Sequence, residues 1–152
     1  MEYRYLQIVH YLTLSLFALA CYSLVAPLIK LATQQGAPPY VAVIITNSIL
    51  VLTALAVSWT RGTLFDFNMP LKSLGLLLVA GVFLGLAVTA YYLALSRGPL
   101  SVVVPIFGLF IVSSSIAGVV LFGETLTASR LLGILFALAA IYLVSRDSVS
   151  GR

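Results

Sequence analysis

Five apolar stretches, separated by short polar segments, dominate the pattern of this 152-residue chain. They cover residues 6–30, 40–60, 73–96, 100–122 and 128–145. At about 1.5 Å of rise per residue, a helix of about 20 residues crosses the roughly 30 Å hydrocarbon core of a bilayer. The pattern therefore predicts an all-α integral membrane protein, with five transmembrane helices in one domain that covers residues 1–152.

The segments around the fourth stretch carry clear helix-ending and helix-starting signals. Arg97 lies in a last helical turn, where exposed carbonyls favour a cation, Gly98 can adopt the left-handed conformation that ends a helix, and Pro99 suits the next first turn. Further on, Thr127 is predicted to cap the fifth helix, and the dipole of that helix favours Glu124 near its unpaired N–H groups. We expect structural roles at the membrane interface for Arg97 and Glu124, with proton coupling as the alternative for Glu124.

Two prolines interrupt the first and fourth stretches. Pro27 deprives the Ser23 carbonyl of its helical donor, and Pro105 does the same to the Ser101 carbonyl. Each predicted kink exposes a carbonyl beside a serine hydroxyl, which either helps to line a site or is satisfied locally by the hydroxyl or by water. Lys30 follows the first kink and is expected at the interface, where its stem can snorkel.

One face of the third helix combines small and polar residues at helical spacing. Gly81, Gly85, Thr89, Tyr92 and Ser96 follow one another at intervals of three or four residues. The two glycines predict close packing by another helix. For Thr89, Tyr92 and Ser96, lining of a wet cavity and hydrogen bonding between helices remain open alternatives.

Small and polar residues also occur in the other apolar stretches. Ser114 precedes Gly118 by four residues, and Gly133 precedes Ala137 by four, a spacing that predicts close helix packing. Asn47 lies well inside the second stretch, where a lone amide costs free energy unless it is paired. We expect it to bond to a neighbouring helix, with a ligand contact as the alternative.

The composition supports the membrane assignment and excludes several functions. Hydrophobic residues make up 62% and charged residues 8% of the chain, against about 45–50% and about 25% in soluble domains. With Cys21 as the single cysteine, neither an intrachain disulfide nor a multi-cysteine metal site can form. Phosphate-binding loops, metal-binding clusters and nucleophile motifs are missing, so we expect no enzyme, no cofactor and no metal. The scattered basic residues also argue against nucleic-acid binding.

Three runs in the second half of the chain resemble a known family. They are Tyr92-Leu-Ala-Leu-Ser-Arg-Gly-Pro-Leu-Ser-Val-Val-Val-Pro105, Leu121-Phe-Gly-Glu124-Thr-Leu-Thr127 and Leu132-Gly133-Ile134. Their order and spacing resemble the C-terminal half of an EamA-type domain of the drug/metabolite transporter superfamily. The first helix, ending in Lys30-Leu31-Ala32, fits the same pattern more loosely. Many family members carry two such domains, whereas this chain carries one, which implies one half-transporter repeat.

The resemblance implies a transporter of small polar metabolites or drugs in the cytoplasmic membrane, with the first, third and fourth spans around a central cavity. We expect the cavity to be lined by Tyr22, Ser23, Thr89, Tyr92, Ser101 and Ser115. One alternative is a small proton-coupled multidrug exporter. Such exporters usually have a buried carboxylate in the first span for proton coupling, and this chain has no Asp or Glu between Arg4 and Asp66. Another is a non-transporting membrane subunit, or a partner in moving a lipid-linked sugar. The resemblance does not identify the substrate.

The distribution of basic residues bears on the orientation of the chain in the membrane. With five spans, one face has Arg4, Arg61, Lys72 and Arg130, and the other has Lys30, Arg97, Arg146 and Arg152. Orientation follows the Lys/Arg difference between short loops, which is four minus four, or zero. We therefore predict that the chain inserts both ways and forms an antiparallel homodimer, which would rebuild a ten-helix transporter. A heteropair with a paralogue and a parallel dimer are the alternatives.

Overall fold

The computed structural model of the chain describes residues 2–63 and 69–150, and the side chains of residues 9–63, 69–144 and 146. Asp66, in the polar loop after the second apolar stretch, lies outside the described residues. The side chains of Arg4 and Arg152, which enter the charge count above, lie outside them as well.

All regular secondary structure in the described residues is helical, which confirms the predicted all-α class. The helices are α1 (Glu2–Ser23), α2 (Val25–Gln34), α3 (Pro39–Thr60), α4 (Leu71–Arg97), α5 (Leu100–Gly108), α6 (Phe110–Phe122) and α7 (Ala128–Ser150). Among the described residues, four helical stretches are long and apolar enough to cross a membrane: Val9–Gln34, Pro39–Thr60, Leu71–Arg97 and Leu100–Phe122. The apolar part of α7, Ala128–Val144, is shorter. The chain is thus a multi-pass membrane protein, and the count of five spans stays a prediction.

The first apolar stretch is interrupted at Leu24, three residues before Pro27. There the N–H of Leu24 bonds to the carbonyl of Cys21 at 3.3 Å, in a tighter turn than that of an α-helix. Because Pro27 has no N–H, it cannot complete the helical bond to the carbonyl of Ser23, where α1 ends. The hydroxyl of Ser23 instead donates to the carbonyl of Ala20 at 2.8 Å.

In the fourth apolar stretch, the interruption lies at Leu109, beyond the proline. Helix α5 continues through Pro105 and ends at Gly108, and the N–H of Leu109 bonds to the carbonyl of Ile106 at 3.2 Å. Glycine is a poor helix former, which accounts for a break directly after Gly108. The predicted kink residue and the observed break are therefore four residues apart.

The turn between α4 and α5 lies where its sequence signals predict it, but Gly98 is not among the described glycines with a positive φ, so the left-handed conformation expected there is not observed. Helix α4 ends at Arg97, α5 begins at Leu100, and Pro99 takes the extended conformation of an N-cap residue. Helix α6 ends at Phe122, and its C-cap residue Gly123 has a φ of 65° in the left-handed region. Local chemistry therefore sets these boundaries.

The chain forms two compact units, Met1–Ser96 and Arg97–Arg152. In the first unit, the buried side chains share one end of the bundle, where α2 and α4 finish and α3 starts. This packed end consists of Ala26, Ile29, Ala42, Tyr91, Tyr92 and Leu95. In the second unit, α5 and α6 pack against α7. Large apolar side chains are exposed along most of the helices, as expected for surfaces that face lipid.

Candidate functional site

A lysine from the first span caps the third span at the packed end. Lys30 Nζ donates a 2.8 Å hydrogen bond to the backbone carbonyl of Leu95. Leu95 lies in the last turn of α4, where carbonyls have no donor four residues further on. A cation is also favoured at this negative end of the helix dipole. Lys30 is half-buried, so its bond ties α2 to α4.

A second polar bond joins the second span to the third. The hydroxyl oxygens of Thr46 and Tyr92 are 3.2 Å apart. Since the Thr46 hydroxyl lies 2.9 Å from the carbonyl of Ala42 and has one proton to donate, we assign Tyr92 as the donor to Thr46. The sequence did not predict this role for Thr46, because a hydroxyl in an apolar helix does not show which residue of another helix it contacts.

Three tyrosines of the first unit lie near one another at this end. The ring centroids of Tyr91 and Tyr92 are 6.3 Å apart and the rings are tilted by 55°. The phenol of Tyr22 lies within electrostatic range of both. Tyr92 is only 5% exposed, whereas Tyr22 is exposed. Two residues of the predicted cavity, Tyr22 and Tyr92, therefore lie in one hydroxyl-rich cluster.

An open groove of about 770 Å³ lies between α3 and α4. This lateral groove is lined by Val43, Ile44, Asn47, Ser48, Leu50, Val51, Leu52, Gly81, Leu84, Gly85 and Thr89. The hydroxyl of Thr89 donates to the carbonyl of Gly85 at 2.7 Å. The amide of Asn47 donates to the carbonyl of Val43 at 2.8 Å, within its own helix, and not to a neighbouring helix as we expected.

The glycines of this groove face open space. A Cβ atom built at Gly81 or Gly85 would have no neighbouring heavy atom within 4 Å, and the same holds for Gly133 in α7. Within the part of the chain that the structure describes, no helix packs closely on these three glycines. Close packing of another helix on these glycines stays a prediction.

The second unit contains another groove, of about 550 Å³, between α6 and α7. Its lining includes Ser114, Ser115, Gly118, Glu124, Arg130 and Gly133. A Cβ atom at Gly118 would lie 3.3 Å from the carboxyl carbon of Glu124, so the glycine makes room for the carboxylate. The hydroxyl of Ser115 donates to the carbonyl of Ile111 at 2.7 Å. Ser101, in α5, is exposed and does not line this groove.

Glu124 forms an ion pair with Arg130. Oε2 of Glu124 lies 3.0 Å from Nη1 of Arg130, and the Arg130 N–H donates to the Thr127 hydroxyl at 3.3 Å. The second bond confirms Thr127 as the N-cap of α7. The carboxylate bonds to the guanidinium and not to the first N–H groups of α7, because a charged partner lies within its reach.

We expect Glu124→Gln to lower stability slightly and to leave transport unchanged. The two side chains are 53% and 58% exposed, and exposed pairs contribute about 0.2–1 kcal/mol. Thermal unfolding in detergent should show the same small shift for Arg130→Gln, the matched control that breaks the pair from the other side. A folded Glu124→Gln variant that loses pH-dependent transport would instead assign proton coupling to this carboxylate.

The six predicted cavity residues are divided between the two units. Tyr22, Ser23, Thr89 and Tyr92 belong to the first unit, and Ser101 and Ser115 to the second. Thr89 lines the lateral groove and lies one turn before Tyr92 on the same helix. Among the described residues, no group of three or more His, Cys, Asp or Glu side chains could hold a metal ion.

Comparison with known proteins agrees with the apolar helices and the sequence motifs. The model of the EamA-like transporter family matches residues 10–146, which is most of the chain. No curated protein and no solved structure gives a match. The proteins of this family are membrane transporters of the drug/metabolite transporter superfamily, not enzymes. Because one family model covers well over half of its length, the chain belongs to the EamA-like transporter family.

Proposed function

We propose that this protein is a secondary transporter, an exporter or exchanger, of small polar metabolites or drugs across the cytoplasmic membrane. The observation that carries the proposal is the family match, which extends over residues 10–146. The match contains one domain, so we propose that the single domain of residues 1–152 works as a half-transporter repeat.

The asymmetry of the first unit supports this proposal. The six side chains that are buried among its described residues, and the Lys30 and Thr46 hydrogen bonds, lie at one end of the helices. Towards the other end, all side chains of α4 from Leu71 to Ala90 are at least partly exposed. Alternating access requires a repeat in which one end is closed while the other can admit substrate.

We propose that the working unit is a pair of such chains in opposite orientations. The equal division of the basic residues supports insertion both ways, and an inverted pair places a site between the repeats near the membrane midplane. Tyr22, Ser23, Thr89, Tyr92, Ser101 and Ser115 would line the cavity of each copy. A heteropair with a paralogue and a parallel dimer are the competing arrangements.

The test combines transport with cysteine accessibility. An unbiased metabolite uptake and efflux screen on the purified chain in proteoliposomes should find a substrate. In a Cys21→Ala background, cysteines at the six cavity positions should react with a water-soluble thiol reagent and be protected by that substrate. The buried Tyr92 position should react most slowly.

The control is Phe83→Cys, at an apolar position that is exposed but outside the predicted cavity and outside both grooves. A thiol in contact with lipid tails stays protonated and should not react. Uniform inaccessibility of all six cavity positions would refute the predicted cavity, and absence of any transported metabolite would refute the transport function.

A further inference from the structure

The lateral groove lies near the middle of the membrane. Asn47 is the ninth of the 22 residues of α3, about 12 Å from the start of a helix that is roughly 32 Å long. Gly85, on the opposite wall, is the fifteenth of the 27 residues of α4. The groove is therefore far from the polar headgroups, and polar groups that line it must find partners inside the membrane.

Two polar atoms of the groove have no such partner among the described residues. The Asn47 amide nitrogen donates to Val43, and the Thr89 hydroxyl donates to Gly85. In the part of the chain that the structure describes, neither the amide oxygen of Asn47 nor the hydroxyl of Ser48 has a hydrogen-bond partner. An unpaired acceptor and an unpaired hydroxyl at this depth cost free energy, so an occupant that bonds to them is favoured.

The groove carries no charged side chain, and its remaining lining is mostly aliphatic. A charged occupant would have to leave water without a counter-charge, which is costly at this depth. An acyl chain would satisfy neither polar atom, because it offers no donor. The chemistry of the lining thus favours a neutral molecule with both an apolar body and a hydrogen-bond donor.

The length of the groove also favours a small occupant. Its lining on α3 runs from Val43 to Leu52, which is about 15 Å of helix. The bond between Thr46 and Tyr92 lies at one end of the groove, next to the packed end of the unit. A transmembrane helix or an acyl chain would extend well beyond this space, whereas a molecule of one or two rings fits over Gly81 and Gly85, where the space is open.

We propose that the lateral groove binds an uncharged amphipathic small molecule, which donates a hydrogen bond to the amide oxygen of Asn47 and packs its apolar body over Gly85. The proposal rests on the transport function proposed above and names its substrate class. Ser48 and Thr89 supply the further polar contacts, and Val51 and Leu84 supply apolar contacts.

The test uses three indole probes that share one ring and differ in charge: tryptophol is neutral, tryptamine is a cation and indole-3-acetate is an anion. The full chain carries Ser48→Cys in a Cys21→Ala background, in proteoliposomes. We expect water to fill the open groove when no probe is bound, so that this thiol can ionise, and the rate of its modification by N-ethylmaleimide is measured. We expect tryptophol to slow modification at least threefold, and the two charged probes to have less than a third of that effect.

Two further variants locate the effect. Asn47→Leu keeps the size of the side chain but removes the acceptor, so protection by tryptophol should disappear while the cysteine still reacts. Gly85→Leu fills the groove and should also abolish protection. Its matched control is Gly75→Leu, on the same helix and equally open but outside the groove, which should leave protection unchanged.

Several results would overturn the proposal. Equal protection by all three probes, or protection that survives Asn47→Leu, would exclude the assigned chemistry. A cysteine that resists the reagent would indicate that lipid fills the groove, and a disulfide between two chains would indicate that a second copy does. If the wild-type chain transports a metabolite but tryptophol gives no protection, the groove assignment fails and transport stands. If tryptophol protects but no metabolite is transported, the transport function fails instead.

Discussion

A topology reporter on the C-terminus of the wild-type chain should be found on both sides of the membrane. The two faces carry equal numbers of Lys and Arg residues. Because orientation follows the difference between these numbers, neither orientation is favoured. Two reporter enzymes, one active only inside the cell and one active only outside, should therefore both give signal. One Lys added to the tail after Arg146 should shift the population to a single orientation, so that only one of the two reporters still gives signal.

A Gln added at the same tail position is the matched control, because it changes the length but not the charge. It should leave both reporters active. The antiparallel arrangement would be contradicted by a wild-type population found wholly in one orientation that still transports as purified single-chain material. A parallel dimer would then be the better description.

Leu95→Ala should cost more stability than any other apolar truncation in the first unit. Leu95 is 0% exposed and lies among the side chains of the packed end. Truncation leaves a cavity there, while the backbone carbonyl that accepts from Lys30 is retained. We expect a loss of about 2 kcal/mol, at the lower end of the range for buried leucines, because in a bilayer the side chain is transferred to lipid and not to water. Reversible unfolding in mixed micelles measures this loss.

Leu86→Ala is the control on the same helix. Leu86 is 65% exposed, so its truncation removes few packing contacts and should change the unfolding free energy by less than about 0.5 kcal/mol. Equal losses for the two variants would show that the packed end is not the stable core of this unit.

Features that depend on neighbouring residues could be predicted from the sequence. The apolar runs predicted the helices, and Gly98-Pro99 predicted the turn that separates Arg97 from Leu100. The cap of α7 by Thr127 follows from the same kind of local chemistry. The sequence predicted a kink at Pro105, because proline removes a helical hydrogen bond. The break lies at Leu109 instead, directly after Gly108, where α5 ends.

Contacts between distant residues could not be predicted in this way. A helical repeat shows which residues share a face, but not which residue of another helix meets them. The pairing of Thr46 with Tyr92 depends on the relative height of α3 and α4. For the same reason, the open space above Gly81 and Gly85 was not foreseen, since their spacing is equally typical of glycines that pack against a helix.

The bond between Lys30 and Leu95 also constrains how the protein is made. Its two residues are 65 positions apart, so the carbonyl acceptor leaves the ribosome well after the ammonium group does. At a synthesis rate of about 5–20 residues per second, the interval is roughly 3–13 s. During this time the first span must keep its lysine at the headgroup layer or in the aqueous path of the insertion machinery. Its final depth in the bilayer is therefore set only after the third span has been synthesised.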